Sequence, residues 1–196
     1  MKKQIALSFL FFLLISFDAS SQKLNYKVKV DGKESGTLEA TKTGKKNNFQ
    51  YYLKSKIKTS MLISIEVSYE LKAIMQDGKL KSSSLVQFVN GIKQVNNHTE
   101  AKGTHYIFSD DSGNQKTISE NILSIVPELY FTEPKNKSKI WSDNVGSFLK
   151  INSLGDGRYE LITGENQSSI YNYSKGVCKK VETTQAYSRI TFELIQ

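Results

Sequence analysis

A chain of 196 residues with a formal net charge of +8, one cysteine, two histidines and two prolines has the length of one long domain. A single cysteine excludes an intramolecular disulfide, so the core has to hold by burial. The positive charge is spread thinly and no base-stacking platform accompanies it, which argues against nucleic acid as a partner.

The chain opens on Met1-Lys2-Lys3, an apolar run over residues 5–17 and the small residues Ala19-Ser20-Ser21. This is the layout of a secretory signal peptide. The apolar run is shorter than the roughly 20 residues that a membrane span needs. The pattern predicts a signal peptide over 1–21, cleavage between Ser21 and Gln22, and a single β-rich domain over 22–196. Such a protein is exported, to the periplasm or beyond. No later segment resembles a membrane helix, so the mature protein is expected not to span the membrane.

From there the apolar residues recur with period two. Tyr26, Val28 and Val30 alternate first, then Phe49, Tyr51, Leu53, Ser55 and Ile57. In "LISIEVSYELKAIMQ", residues 62–76, Ile63, Ile65, Val67, Tyr69, Leu71, Ala73 and Met75 share one face, and Glu66 and Glu70 the other. Strict alternation specifies a strand with one buried and one wet face. Asp77-Gly78 and Asn90-Gly91 are hairpin signals, with strands predicted over 80–89, 92–101 and 106–109. Further strands follow over 146–152, 158–163, 167–173, 177–183 and 189–195, with glycine-bearing turns between most of them. No helical crossover interrupts the series, which points to antiparallel order.

One segment breaks the pattern. "ILSIVPELYFTEPKNKSKIW", residues 122–141, holds both prolines and the only tryptophan. Its apolar residues cannot share one side of a strand, and "ENILSIV" fits a short helix or turn ended by Pro127. The predicted fold is therefore all-β: a long-stranded antiparallel meander curled into a barrel or half-barrel, with a short helical or irregular plug around 120–135. A one-faced sheet of this size with no helical layer must wrap on itself.

Chemistry-bearing patterns are sparse. His98 and His105 have no zinc-ligand spacing, and "DDSGN" at 110–114 lacks the length and terminal glutamate of a calcium loop. No metal and no cofactor is expected. Glu128 with Glu133 on the plug, or Cys178 beside Lys179 and Lys180, are the remaining candidates for hydrolytic chemistry. "KTGKK" (42–46) and "KNKSK" (135–139) look like charged loop tips. Tyrosines are the richer resource, since the ring can pack while the hydroxyl stays available; Tyr51, Tyr69, Tyr106, Tyr130, Tyr159, Tyr171 and Tyr173 are candidates to line a cavity. For a ligand site the residues are Leu129, Tyr130, Phe131, Tyr69, Tyr106 and Trp141, with no catalytic residue assigned.

The stretches "YKVKVDGKESGTLEATK", "MQDGKLKSSS", "ILSIVPELYFTEPKNKSKIWS" and "YNYSKGVCKKVETT" together resemble a secreted β-rich domain of unknown function from Bacteroidota. The long-stranded meander is more distantly similar to the curled half-barrels of periplasmic lipoprotein carriers. That resemblance implies an apolar cavity inside the sheet. The reading is an exported, non-enzymatic β-protein binding a lipid or other apolar molecule. Two alternatives stay open: a structural module docking an envelope protein, and a hydrolase using the plug carboxylates.

Overall fold

In the computed structural model, residues 20–60, 64–185 and 188–195 are described. The signal segment over 1–19 and Ile63 lie outside them. Fourteen strands and one 3-10 turn make up the described chain: β1 (Ser20–Val30), β2 (Lys33–Lys45), β3 (Asn48–Ser60), β4 (Ser64–Gln76), β5 (Lys79–Val89), β6 (Ile92–Lys102), β7 (His105–Ser109), β8 (Gln115–Ile118), the turn (Val126–Tyr130), β9 (Lys139–Ser142), β10 (Ser147–Gly155), β11 (Arg158–Gly164), β12 (Gln167–Ser174), β13 (Val177–Gln185) and β14 (Ser188–Leu194). All lie in one sheet, ordered β8-β7-β6-β5-β4-β3-β2-β1-β14-β13-β12-β11-β10-β9. Every pairing between strands is antiparallel.

Local chemistry explains the meander. Asp77-Gly78 and Asn90-Gly91 both take positive φ at their two central residues, the primed turn that matches strand twist. Register shifts at Val28/Lys29, Ile74/Met75, Gln87/Phe88 and Asn172/Tyr173 are bulges, which bend a strand and raise its twist. The sheet therefore curls, with Tyr26, Val28, Leu38, Leu53, Leu71, Leu85 and Leu161 buried on its inner face. Lys54–Glu70 and Lys56–Glu66 ion pairs occupy the outer face of β3 and β4, as the alternation predicts.

The curl stops short of closure. The sheet ends in β8 and β9, each of 4 residues, and no ladder joins them. Side chains and loops seal the seam instead. Phe108 on β7 packs edge-on against Trp141 on β9 at 6.2 Å. The Lys116 ammonium donates to the Gly146 carbonyl at 3.3 Å. Gly146 has φ +59, and a Cβ there would lie 2.4 Å from the Phe108 ring. Only glycine fits that turn while the aromatic closes over it.

Residues 119–138 run from one sheet edge to the other inside the curl. The Leu80 amide donates to the Ile122 carbonyl, the Trp141 amide to the Ser124 carbonyl, and the Glu133 amide to the Gly176 carbonyl, at 2.9, 2.9 and 3.2 Å. The helical element lies after the predicted position. Ile125 is extended, and Pro127 sits in the first turn of Val126–Tyr130. Proline starts this turn rather than ending one, because its fixed φ and missing N–H suit the first helical position. Each lysine cluster is a solvated tip only in part: Lys46 and Lys135 are exposed in turns. Lys42 lies within β2 with its ammonium 4.1 Å from the Phe49 ring centre, and Lys137 folds back onto Ser124 and Glu128.

Candidate functional site

An up-and-down meander puts alternate turns at opposite ends. The end carrying turns 46–47, 77–78, 103–104, 156–157 and 175–176 is the one that residues 119–138 enter and leave, by their bonds to Leu80 and Gly176. This is the plugged end. Inward side chains there are sealed: Ala73 and Leu71 on β4 are 1 % exposed. Further along the same face Tyr69 and Val67 are half-buried, and Ile65 is 40 % exposed. β3 repeats the gradient, from buried Tyr51 and Leu53 to half-buried Ile57. Among the described residues the other end is therefore open.

Between plug and open end lies a cavity of about 240 Å³. Val126 and Tyr130 of the 3-10 turn contribute from the plug; Leu38, Leu53, Ile57, Leu149, Leu161, Ile190 and Phe192 supply apolar walls. Small polar groups intersperse these: Ser55, Gln87, Asn144, Thr163, Ser169 and Thr183. Tyr69, Tyr130 and Tyr171 also line it. Burial raises the pKa of Tyr69 and Tyr171 far above the ordinary phenol value, and that of Tyr130 likewise, with Tyr171 and Tyr69 adding to the effect. All three stay neutral.

The structure divides the predicted site residues. Tyr69 and Tyr130 face the cavity. Leu129 is 1 % exposed and Phe131 6 %, packed in the core with the Phe131 ring tilted against Tyr51 at 5.9 Å. Tyr106 is buried and its hydroxyl accepts from the Ile122 amide at 3.4 Å. Trp141 is buried in the seam between Phe108 and Phe148. Of the wider tyrosine set, Tyr171 joins Tyr69 and Tyr130 at the cavity, whereas Tyr159 donates to Glu133 at 2.9 Å and Tyr173 to the Leu129 carbonyl at 2.6 Å.

The groups considered for hydrolysis have separate engagements. Glu128 accepts from Ser124 at 2.5 Å and pairs with Lys137 at 3.2 Å. Glu133 pairs with Lys135 at 3.5 Å as well as accepting from Tyr159. Cys178 is fully buried, and burial pushes its thiol up to about 12 against the smaller pulls of backbone hydrogen bonds at Lys180 and Asn172 and of the Lys179 charge. The neighbouring Lys179 does not activate it, because desolvation of the thiolate outweighs that charge. No group of three or more metal-ligating side chains occurs among the described residues. No helix among them is long and apolar enough to cross a membrane.

One polar centre has no counterpart in the sequence-based reading. Asp143, 2 % exposed, follows β9 at the seam. Its Oδ1 accepts from Ser83 at 2.5 Å, Thr99 at 2.7 Å and the Trp141 indole at 3.1 Å. The Asn97 amide donates to the Asp143 carbonyl at 2.7 Å. Asp143 Oδ2 is buried without a partner. Its chain neighbours Ser142 and Asn144 line the cavity, so the carboxylate stands just behind the wall.

Comparison with known proteins agrees with this architecture. Residues 26–195 match the family model of a domain of unknown function, DUF6134. Among solved structures the chain is similar to a β-barrel-like protein of the domain of unknown function DUF1849 from Brucella abortus. The TM-score is 0.58 at 7 % identity, covering 89 % of this chain and 95 % of that one. At that identity the likeness concerns the fold alone. No curated protein matches the chain.

Proposed function

We propose, for a chain that belongs to the DUF6134 family, that it is an exported, non-enzymatic β-protein whose curled sheet holds the apolar part of a lipid or similar amphipathic molecule. One observation carries this reading. The inner face keeps its apolar alternation past the plug, where it meets space instead of side chains, and Ile65 is left 40 % exposed. Exposed apolar surface continuous with a lined cavity marks a ligand or partner site more often than an accident of folding. Export follows from the leader pattern at residues 1–21. The cavity, at about 240 Å³, is smaller than the roughly 300–1,000 Å³ of drug-sized pockets. It suits one chain or one head, with the rest of the molecule leaving by the open end.

Native mass spectrometry of the protein released gently from its producing cells tests the proposal. A co-purifying neutral or amphipathic mass, lost on detergent exchange, is the expected result. Ligand-free protein that also fails to take up added lipid would overturn it.

A docking role has one observation in its favour. The plugged end carries Lys46, Lys79, Lys81, Lys175 and Lys179 on or beside its turns, a concentration that favours an acidic partner. Sheet-edge addition is disfavoured, since both edges are 4 residues long and short edges resist pairing.

A further inference from the structure

Among the described residues, tyrosine hydroxyls outside the cavity find partners, with the exception of Tyr51. Tyr26 donates to the Cys178 carbonyl at 2.9 Å, Tyr159 to Glu133 and Tyr173 to the Leu129 carbonyl. Tyr69, Tyr130 and Tyr171 break that rule: among the described residues their hydroxyls have no hydrogen-bond partner. Yet Tyr130 is 6 % and Tyr171 4 % exposed. Among the described residues the one side-chain oxygen sealed without a partner is Asp143 Oδ2, so these hydroxyls keep access to the cavity space, where a guest can bond them. The three come from different elements, β4, the plug turn and β12, and all line one cavity. The Tyr130 and Tyr171 rings are 6.2 Å apart.

We infer that this cavity recognises a neutral acyl ester or amide, its carbonyl oxygen accepting from the Tyr69 and Tyr171 hydroxyls, with that of Tyr130 beside them, while its chain lies along the aliphatic wall. The inference rests on the binding function proposed above and names its ligand class. Charge decides between carbonyl and carboxylate. No lysine, arginine or histidine lines the cavity among the described residues, so a buried carboxylate would find no counter-ion. The Asp143 carboxyl group behind the wall adds repulsion: after burial it is the next cause that holds the Tyr69 hydroxyl protonated, and it would likewise disfavour the charged form of a carboxyl group placed there. A cationic head is disfavoured because three neutral hydroxyls are weak substitutes for its hydration shell. A hydrocarbon alone would leave the hydroxyls unpaired. A carbonyl oxygen, with two lone pairs and no charge, fits all three constraints.

The test uses delipidated full-length mature protein and displacement of the fluorescent apolar probe N-phenylnaphthylamine. Competitors are methyl laurate, laurate and dodecane, against wild type, Tyr69→Phe, Tyr171→Phe and the double variant. Phenylalanine keeps the ring and removes only the hydroxyl, and thermal melting of the unliganded variants checks that the fold is intact. Methyl laurate should compete best in wild type. Each single variant should weaken it roughly threefold to tenfold, as loss of one hydrogen bond predicts, and leave dodecane unchanged. Equal ester binding in all four proteins would overturn the carbonyl assignment while leaving the binding function standing. Laurate binding more tightly than its ester would overturn the choice of a neutral head. If wild type takes up neither the probe nor any competitor, the binding function falls, and this inference with it.

Discussion

The two ends of the curled sheet are built from the same strands and differ in what meets their inner face. At the plugged end Tyr51 on β3 packs against Phe131, and Tyr26 on β1 meets Tyr130 at 5.3 Å. At the open end Ile57 and Val67, in the same inward slots of β3 and β4, border a cavity. Strand patterning is indifferent to this change, since the alternation runs unbroken through both halves of β4. Burial here is decided by a different part of the chain, residues 119–138. A sheet specifies which face is apolar; only a covering segment specifies how much of that face becomes core.

The largest break in the comparison comes from removing the cover. Leu129→Ala and Phe131→Ala should each cost about 2–5 kcal/mol, by lost transfer energy and the cavity left behind, read from urea unfolding midpoints. Their effects will not simply add, because the two are neighbours on one turn. Losses under about 1 kcal/mol would mean that the plug is dispensable. Next is the seam. Asp143→Ala removes the acceptor of Ser83, Thr99 and Trp141 together and should cost about 3 kcal/mol, since buried donors left unpaired carry their full desolvation penalty. A change in near-ultraviolet circular dichroism from Trp141 should accompany it.

Alkali attacks the plugged half through Cys178. The folded thiol holds its proton up to about 12, against an ordinary value of 9.0. Between those limits the unfolded chain binds fewer protons than the folded one, so stability is intact below pH 9 and falls as pH rises above it. The slope approaches roughly 1 kcal/mol per pH unit for one group. Cys178→Ala should flatten that part of the pH–stability curve, and iodoacetamide at pH 8 should label the wild-type thiol only after denaturation. A smaller effect is expected from Tyr173→Phe, which deletes the hydrogen bond to the Leu129 carbonyl on the plug. About 1 kcal/mol is the usual worth of such a bond, and the same unfolding measurement checks it.

Legibility in the sequence followed the length of the signal. The 13 residues of β4 give enough alternation to fix both faces, and Asp-Gly and Asn-Gly turns fix the register of its neighbours. β8 and β9, each of 4 residues, offer two side chains per face, too few for a period to show, so both edges went unread. The plug is visible as an interruption, but avoidance of helix before proline puts Pro127 at the end of a short helix or turn over "ENILSIV", whereas the preference for proline in a first turn puts it at the start of one. Tyr69 and Tyr130 were readable as cavity candidates. Leu129, Phe131, Tyr106 and Trp141 lie in the packed core and seam instead, because apolarity alone cannot distinguish facing a void from filling one. The Asp143 centre did leave a trace. Ser83 and Thr99 occupy inward slots of β5 and β6 where the alternation calls for apolar residues, and polar residues at inward positions require a buried partner. That partner lies 60 residues from Ser83 and 44 from Thr99, a distance that no local pattern spans.

The smallest stability change should come from the open end, where it is also the most diagnostic. Ile190 on β14 is half-buried and lines the cavity opposite the plug. Truncation to alanine removes methyl groups that already face space, so little packing is lost and little new cavity is made. The cost should stay under about 1 kcal/mol, below the range of core truncations. The same substitution strips apolar surface from the wall against which a ligand chain would lie. It should weaken uptake of N-phenylnaphthylamine several-fold, since each buried methylene is worth about 0.8 kcal/mol. Leu129→Ala predicts the reverse ranking, with a large stability loss and an effect on uptake only through disorder of the plug. If Ile190→Ala instead destabilises as much as Leu129→Ala, the open end is core in solution, and the contrast between the two ends disappears.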